Sequence, residues 1–327
     1  GLVNYLRGVY TDWLWFGQLG LRSVFLTVLV TRVTLFVLGG AVFAVACGVS
    51  VYFANRLSQG PEEIPLPRPT RDFLKASIRW GSVAVIGALS VVFGGLAAGQ
   101  WQVFLKFNNS VPFGVTDPVY GKDVSFYVFS LPLYDFIQGW LLGAAIAILI
   151  ASLAMYFINF SFRGLGFLIT PGVKLQVSVV AAVIMFVLAF GHWLDRWGLV
   201  MSDKGAVYGA AYTDVHAMQP ALLILTIIAA VSGVLMLVNA YMRGIRVAVG
   251  GAALWVVMSL LLGAAWPNAM QRFTVNPNEF AREEPYIARN IEFTRKGFGL
   301  DEVIQQPYPA TPSLTADMIS QNLETVD

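Results

Sequence analysis

Apolar residues run along this chain in six long uncharged stretches: Val33–Phe53, Trp80–Leu105, Phe136–Phe162, Leu175–Leu194, Ala217–Met242 and Val247–Gln271. The shortest holds twenty residues, and about 20 apolar residues at about 1.5 Å rise cross a hydrocarbon core of roughly 30 Å. Lipid offers the backbone no hydrogen-bond partner, so each stretch is expected to be a helix. A buried helix of a soluble protein reaches this length occasionally, but six in one chain point to a membrane bundle. Inside the stretches, Gly95 with Gly99 and Gly139 with Gly143 form small-xxx-small pairs, and Gly250–Gly251 opens the last one. Such glycines let neighbouring backbones approach closely.

The polar positions between the stretches alternate in charge. Residues 54–79, 163–174 and 243–246 hold Arg56, Arg68, Arg71, Lys75, Arg79, Arg163, Lys174, Arg243 and Arg246. The opposite loops hold only Lys106, Lys122, Arg196 and Lys204, beside six aspartates. The positive-inside rule makes the first set cytoplasmic and places both ends of this chain outside, although Arg7, Arg22 and Arg32 then lie outside as well. The connection 243–246 is so short that the last two helices must form an antiparallel hairpin. The proline-rich GPEEIPLPRPT (60–70) reads as a stiff linker.

Residues 1–32 mix Tyr5, Tyr10, Trp13, Trp15 and Phe16 with Arg7, Asp12 and Arg22. Tyr and Trp favour the headgroup level, so this part reads as interfacial, in two short amphipathic helices or as a loop. In the loop 106–135, Asp117-Pro118 makes a turn. The alternating VSFYVF (124–129) suggests a short strand or interfacial piece, after which Pro132 and Asp135 would open the third helix. Residues 272–327 carry nine acidic and five basic residues and read as water-soluble. There Asn276-Pro277-Asn278 would cap a helix bearing Ile287, Ile291 and Arg295, stopped by Gly297 and Gly299. A final short helix would start at Ser313. So few large apolar residues make a poor independent domain, so this extension is expected to be the start of a larger one.

Composition agrees with the pattern. Of 327 residues 57% are hydrophobic and 12% charged, against about 25% charged in a soluble domain. A net charge of +2 argues neither for a nucleic-acid partner nor for an acidic substrate, and no nucleic acid is expected. Cys47 is the only cysteine, which excludes an intrachain disulfide and a cysteine metal cluster. No P-loop, GxGxxG, GxSxG or HExxH pattern occurs, so nucleotide binding and standard hydrolase chemistry have no support.

The densest polar island is Gly191–Pro220, which holds both histidines of the chain. His192 and Asp195 are three apart and share a face if the helix continues. Asp214 and His216 flank the entry to the next helix, which should pack beside it. Imidazole and carboxylate suit zinc, manganese or iron, so His192, Asp195, Asp214 and His216 are a candidate divalent-metal set. The alternative is that these groups pair with Arg196, Lys204 or backbone at the headgroup level. Apart from His192 the six stretches hold no ionisable residue, which argues against a proton or ion pathway within them.

Six phrases, YTDWLWFG (10–17), YGKDVSFYVFSLPLYDF (120–136), GHWLDRW (191–197), GAVYGAAYTDVHA (205–217), QRFTVNPNEF (271–280) and EEPYIARNIEFTRKGFGL (283–300), resemble uncharacterised protein family 0182. The resemblance implies a bacterial membrane protein with seven helices, one of them ahead of the first phrase, followed by a large extracytoplasmic domain. It implies no activity and no functional residues. The expectation is therefore an all-α polytopic protein of the bacterial plasma membrane. It would consist of an interfacial segment (1–32), six transmembrane helices (33–271) and an extracytoplasmic extension (272–327). Its leading function would be that of a non-enzymatic scaffold contacting lipid and other membrane subunits, with no cofactor required. A transporter or flippase of a lipophilic substrate and a metal-dependent enzyme at the outer face are the alternatives.

Overall fold

The structure is a computed structural model that describes residues 2–58, 67–164, 169–242, 244–304 and 315–321. Much of the linker 60–70, Arg243 and Ser313 lie outside them. The helices are α1 (Leu2–Gln18), α2 (Arg22–Leu57), α3 (Arg68–Gly99), α4 (Trp101–Asn108), α5 (Leu131–Phe162), α6 (Pro171–Gly198), α7 (Gln219–Asn239), α8 (Arg246–Leu260), α9 (Trp266–Met270), α10 (Glu279–Gly297) and α11 (Ala316–Gln321). Among the described residues six helical runs are long and apolar enough to cross a membrane, and each contains most or all of one of the six sequence stretches. Residues 1–32 differ in part from the expectation. One short helix forms, Gly20 with φ +73° turns the chain, and residues 22–32 already belong to α2. The second stretch is divided at Gln100 between α3 and α4.

Successive long helices run antiparallel. At one end Arg163 of α5 bonds the Ser58 carbonyl, and Lys174 of α6 bonds the Met242 carbonyl. At the other end, called here the rim, Tyr120 meets Arg196 and Thr213 meets Gln271. The last span does not stop at the rim. From Arg246 to Val275 the chain runs helically through α8 and α9, and after the turn Asn276–Asn278, where Asn278 leaves helical geometry at φ −144° and ψ 54°, α10 continues to Gly297. Beyond Gln271 this part of the chain is rich in polar residues.

Four wide turns interrupt the helices at Phe126–Ser130, Asp214–Met218, Leu261–Ala265 and Gln271–Val275. After each, the N–H of Leu131, Gln219, Trp266 or Asn276 bonds the carbonyl five residues back. The next residue is in every case a proline: Pro132, Pro220, Pro267 and Pro277. A proline ring collides with the carbonyl four residues before it in an α-helix. The fifth-residue register moves that carbonyl aside, so the chain continues through the proline. Hence Pro132 does not open its helix, and Val124–Phe129 is helical rather than a strand. Among the described residues the only β-pairing is one bridge, Thr116 with Asp123.

Three kinds of contact hold the bundle. First, α2 and α3 approach through glycine: a Cβ on Gly94 would lie 2.6 Å from the Phe36 carbonyl oxygen, and one on Gly39 would lie 2.7 Å from Ala97 Cβ. The pairs expected from spacing contribute little here, because Gly95, Gly99 and Gly139 face open space, as does Gly250; Gly143 and Gly251 make ordinary contacts. Second, Phe43 stacks on Phe93 at 4.2 Å, and Trp140 meets Phe93 edge-on while its indole N–H donates to the Phe93 carbonyl at 3.0 Å.

Third, a polar knot joins α2, α5 and α6. Ser50 and Ser152 hydroxyls lie 2.8 Å apart, the Gln176 amide donates to the Ser50 carbonyl at 2.7 Å, and Tyr156 donates to Gln176 Oε1 at 2.5 Å. Asn239 to Ser178 then ties α7 to α6, and Ser232 to the Gly251 carbonyl ties α8 to α7.

Two outcomes follow in thermal unfolding of the detergent-solubilised protein. Gly94→Ala lowers stability by about 1–3 kcal/mol, because its Cβ must displace backbone, whereas Gly95→Ala stays within about 0.5 kcal/mol. Gln176→Leu removes interhelical bonds averaging about 0.6 kcal/mol each and leaves Tyr156 unpaired, for a loss of about 1–2 kcal/mol.

Candidate functional site

The rim is built on aspartates that organise loops before they do anything else. Asp117, 4% exposed, accepts the Val119, Tyr120 and Lys122 amides and the Tyr127 hydroxyl at 2.7 to 2.9 Å. Short polar side chains that bond the following backbone make such turns. Asp123 caps the helical segment ahead of α5 by accepting Ser125 N at 2.8 Å, and draws in the Phe113 and Gly114 amides at 3.1 and 2.9 Å. These bonds, the Ser125 hydroxyl's first among them, hold the Asp123 carboxyl down at about 2. The loop is fastened to the end of α6 by Tyr120, whose hydroxyl donates to the Arg196 carbonyl at 2.5 Å. Burial, more than the nearby charges, pushes that phenol up to about 12, so it remains a donor.

At the end of α6 the three-residue spacing does bring His192 and Asp195 together, with Nδ1 and Oδ2 3.7 Å apart. The other ring nitrogen is engaged: Trp255 Nε1 of α8 donates to His192 Nε2 at 3.2 Å. Nε2 is thus the acceptor, and the Nδ1 proton faces Asp195. Arg196 lies over the Trp193 and Trp197 rings at 5.7 and 5.8 Å.

Asp214 and His216 turn in opposite senses, as residues two apart on a helical turn do. Asp214 is 4% exposed and accepts the Ala211 amide at 3.1 Å. His216 is exposed, stacks on Tyr212 at 4.1 Å, and places Nδ1 3.1 Å from the Tyr212 carbonyl and 3.4 Å from the Tyr286 hydroxyl. The four candidate ligands therefore spend their polar atoms on different partners. Among the described residues no group of three or more His, Cys, Asp or Glu side chains is placed to hold a metal ion.

The residue that the sequence pattern did not single out is Glu283. It is 1% exposed, and both of its oxygens accept the Tyr212 amide, at 3.3 and 3.2 Å. Around it on α10, Arg282 reaches the Tyr212 hydroxyl at 3.3 Å, Tyr286 meets Tyr212 edge-on, and Asn290 donates to the Tyr208 carbonyl at 2.6 Å. The signal was present: Glu283, Tyr286 and Asn290 recur at i, i+3 and i+7, a single stripe on a helix. Because the stripe is polar, it does not register as a buried face. Chemically the rim is a set of hydrogen-bonded clamps, with loop 109–125, the segment 199–218 and α10 each gripped by a carboxylate.

The Asp123 clamp has a defined pH window. A carboxyl held below its ordinary value contributes stability that is full above about pH 4 and is lost as pH falls through about 2. Hydrogen exchange at the Phe113 and Gly114 amides should stay slow from neutral pH down to about pH 4 and accelerate below that, apart from intrinsic pH effects. Asp123→Asn should exchange faster at neutral pH and lose the transition.

No solved structure matches this chain. Curated relatives include the UPF0182 protein of Thermobifida fusca, 35% identical across 99% of this chain and 32% of its own length. That of Frankia casuarinae is 36% identical over 99% and 32%, and that of Moorella thermoacetica 36% over 97% and 36%. The chain thus spans about a third of the length of these relatives. The profile of the uncharacterised protein family (UPF0182) matches residues 1–327 from end to end, and the chain belongs to that family.

Proposed function

We propose that this chain is the membrane anchor of a longer protein, a non-enzymatic scaffold that holds an extracytoplasmic part in a fixed attitude and contacts other subunits or lipid sideways. The observation that carries the reading is that α10, which follows the last apolar helix after one turn at Asn276–Asn278, is gripped on the 205–213 segment through Glu283, Arg282 and Asn290. A flexible tether needs no such grip. A helix joined to the last apolar span by one turn and clamped to a neighbouring loop transmits the orientation of the bundle to whatever follows it. The excess of arginine and lysine at the other end supports an extracytoplasmic rim. The last span's apolar window is only 6% buried, a face available to lipid or to a partner helix.

Spin labels test the anchor directly, since Cys47 is fully buried and would not compete, once any cysteine elsewhere in the whole protein is replaced by serine. With Asp203→Cys and Asp301→Cys in the whole protein in lipid nanodiscs, pulsed dipolar spectroscopy should give one narrow distance distribution. Adding Glu283→Ala leaves the Tyr212 amide unpaired, a loss of about 1–3 kcal/mol, and should broaden it. A broad distribution before Glu283 is touched would remove the scaffold reading.

A further inference from the structure

We infer that the groove along α2 is a binding site for one phospholipid of the rim-side leaflet, with a headgroup that carries both a phosphate and a primary ammonium. Two adjoining features make the site. Nearer the N-terminus a cavity of about 400 Å³ lies between α1, α2 and α4, with Phe25, Val28, Leu29 and Arg32 forming its α2 wall. Further along the same helix an apolar groove of about 240 Å³ runs between α2, α3 and α5, with Leu35, Leu38, Gly39 and Val42 on its α2 side. These positions continue one another at three- and four-residue steps, so they form a single stripe down one helix face.

The dimensions fit a lipid. From Arg32 to Val42 is ten residues, about 15 Å at 1.5 Å rise, which is half of the roughly 30 Å core and so the depth of one leaflet. The upper cavity is polar where a headgroup would sit: Asn4, Asp12 and Arg32 line it. The lower groove is apolar throughout, and Val42 and Leu38 stay more than half exposed, open sideways to acyl chains.

The charges choose the headgroup. Arg32 is held over the Trp101 ring at 4.8 Å, which fixes a guanidinium at the boundary where it can fork onto phosphate oxygens. Asp12, also exposed, lines the same cavity, and among the described residues it is not ion-paired with Arg32 or any other cation. An anionic headgroup would leave that carboxylate opposed by a like charge. A phosphate on Arg32 with an ammonium on Asp12 satisfies both, and a primary ammonium can donate hydrogen bonds that a quaternary one cannot.

Native mass spectrometry of the whole protein, delipidated and titrated with phosphatidylethanolamine, phosphatidylcholine or phosphatidylglycerol, tests the site. Phosphatidylethanolamine should be retained at one per chain in preference to the others. Arg32→Gln should weaken it about tenfold, Asp12→Asn should erase its advantage over phosphatidylglycerol, and Leu38→Trp should expel it by filling the groove. Leu38 is a surface position, so that variant decides the matter even where Arg32→Gln fails to fold. Equal retention by wild type, Arg32→Gln and Leu38→Trp overturns the proposal. Preference for phosphatidylglycerol in the unmutated protein overturns the headgroup assignment. Absence of any retained lipid, with a cross-linker at Val28 capturing another segment of the same protein, overturns lipid as the occupant.

Discussion

Apolar surroundings give a polar side chain no partner but another polar group, and this constraint makes the Ser50–Ser152–Gln176–Tyr156 knot the centre of the fold. Within a bilayer the hydrophobic effect does not press one helix against another, since lipid tails are as apolar as leucine. What distinguishes the assembled bundle from six separate spans is close packing and the polar groups that find each other. Each bond contributes only about 0.6 kcal/mol on average, so the knot matters through geometry as much as through energy. Three helices must be in register for Gln176 to reach Ser50 while Tyr156 reaches Gln176. The glycine contact of α2 with α3 and the bonds from α7 and α8 build outward from that register.

The rim follows a related logic in a wetter place. Asp117, Asp214 and Glu283 are almost fully buried, and the donors that satisfy them are backbone amides and a phenol rather than cations. Buried carboxylates that face N–H donors fix backbone in place and define loop shape. Wide turns ahead of Pro220 and Pro277 re-aim the side chains near Asp214 and Gln271, and at Asn278 the backbone then leaves helical geometry. The lateral surface, in contrast, is left exposed and apolar, with one groove along α2 that begins polar and ends apolar.

How much of this was legible in the chain depends on which physical quantity encodes it. Span number, helix type, the antiparallel hairpin near 243–246 and the polar character beyond Gln271 follow from uncharged run length and loop composition, which solvent alone reads. The pairing of His192 with Asp195 followed from three-residue spacing. What joins the helices did not. Gly94 and Gly95 are neighbours in sequence, and only the rotation of α3 decides that Gly94 meets Phe36 while Gly95 meets nothing.

Sequence by itself therefore determined that this is a bundle of six membrane-length helices with a polar rim, because burial in oil demands apolar length and paired backbone whatever the arrangement. Tertiary structure alone decided that His192 is held by Trp255, that Asp214 and His216 face apart, and that Glu283 clamps α10 to Tyr212. Those outcomes rest on the rotation and depth of each helix about its axis. Side-chain contacts across the chain set these, and no local pattern of residues contains them.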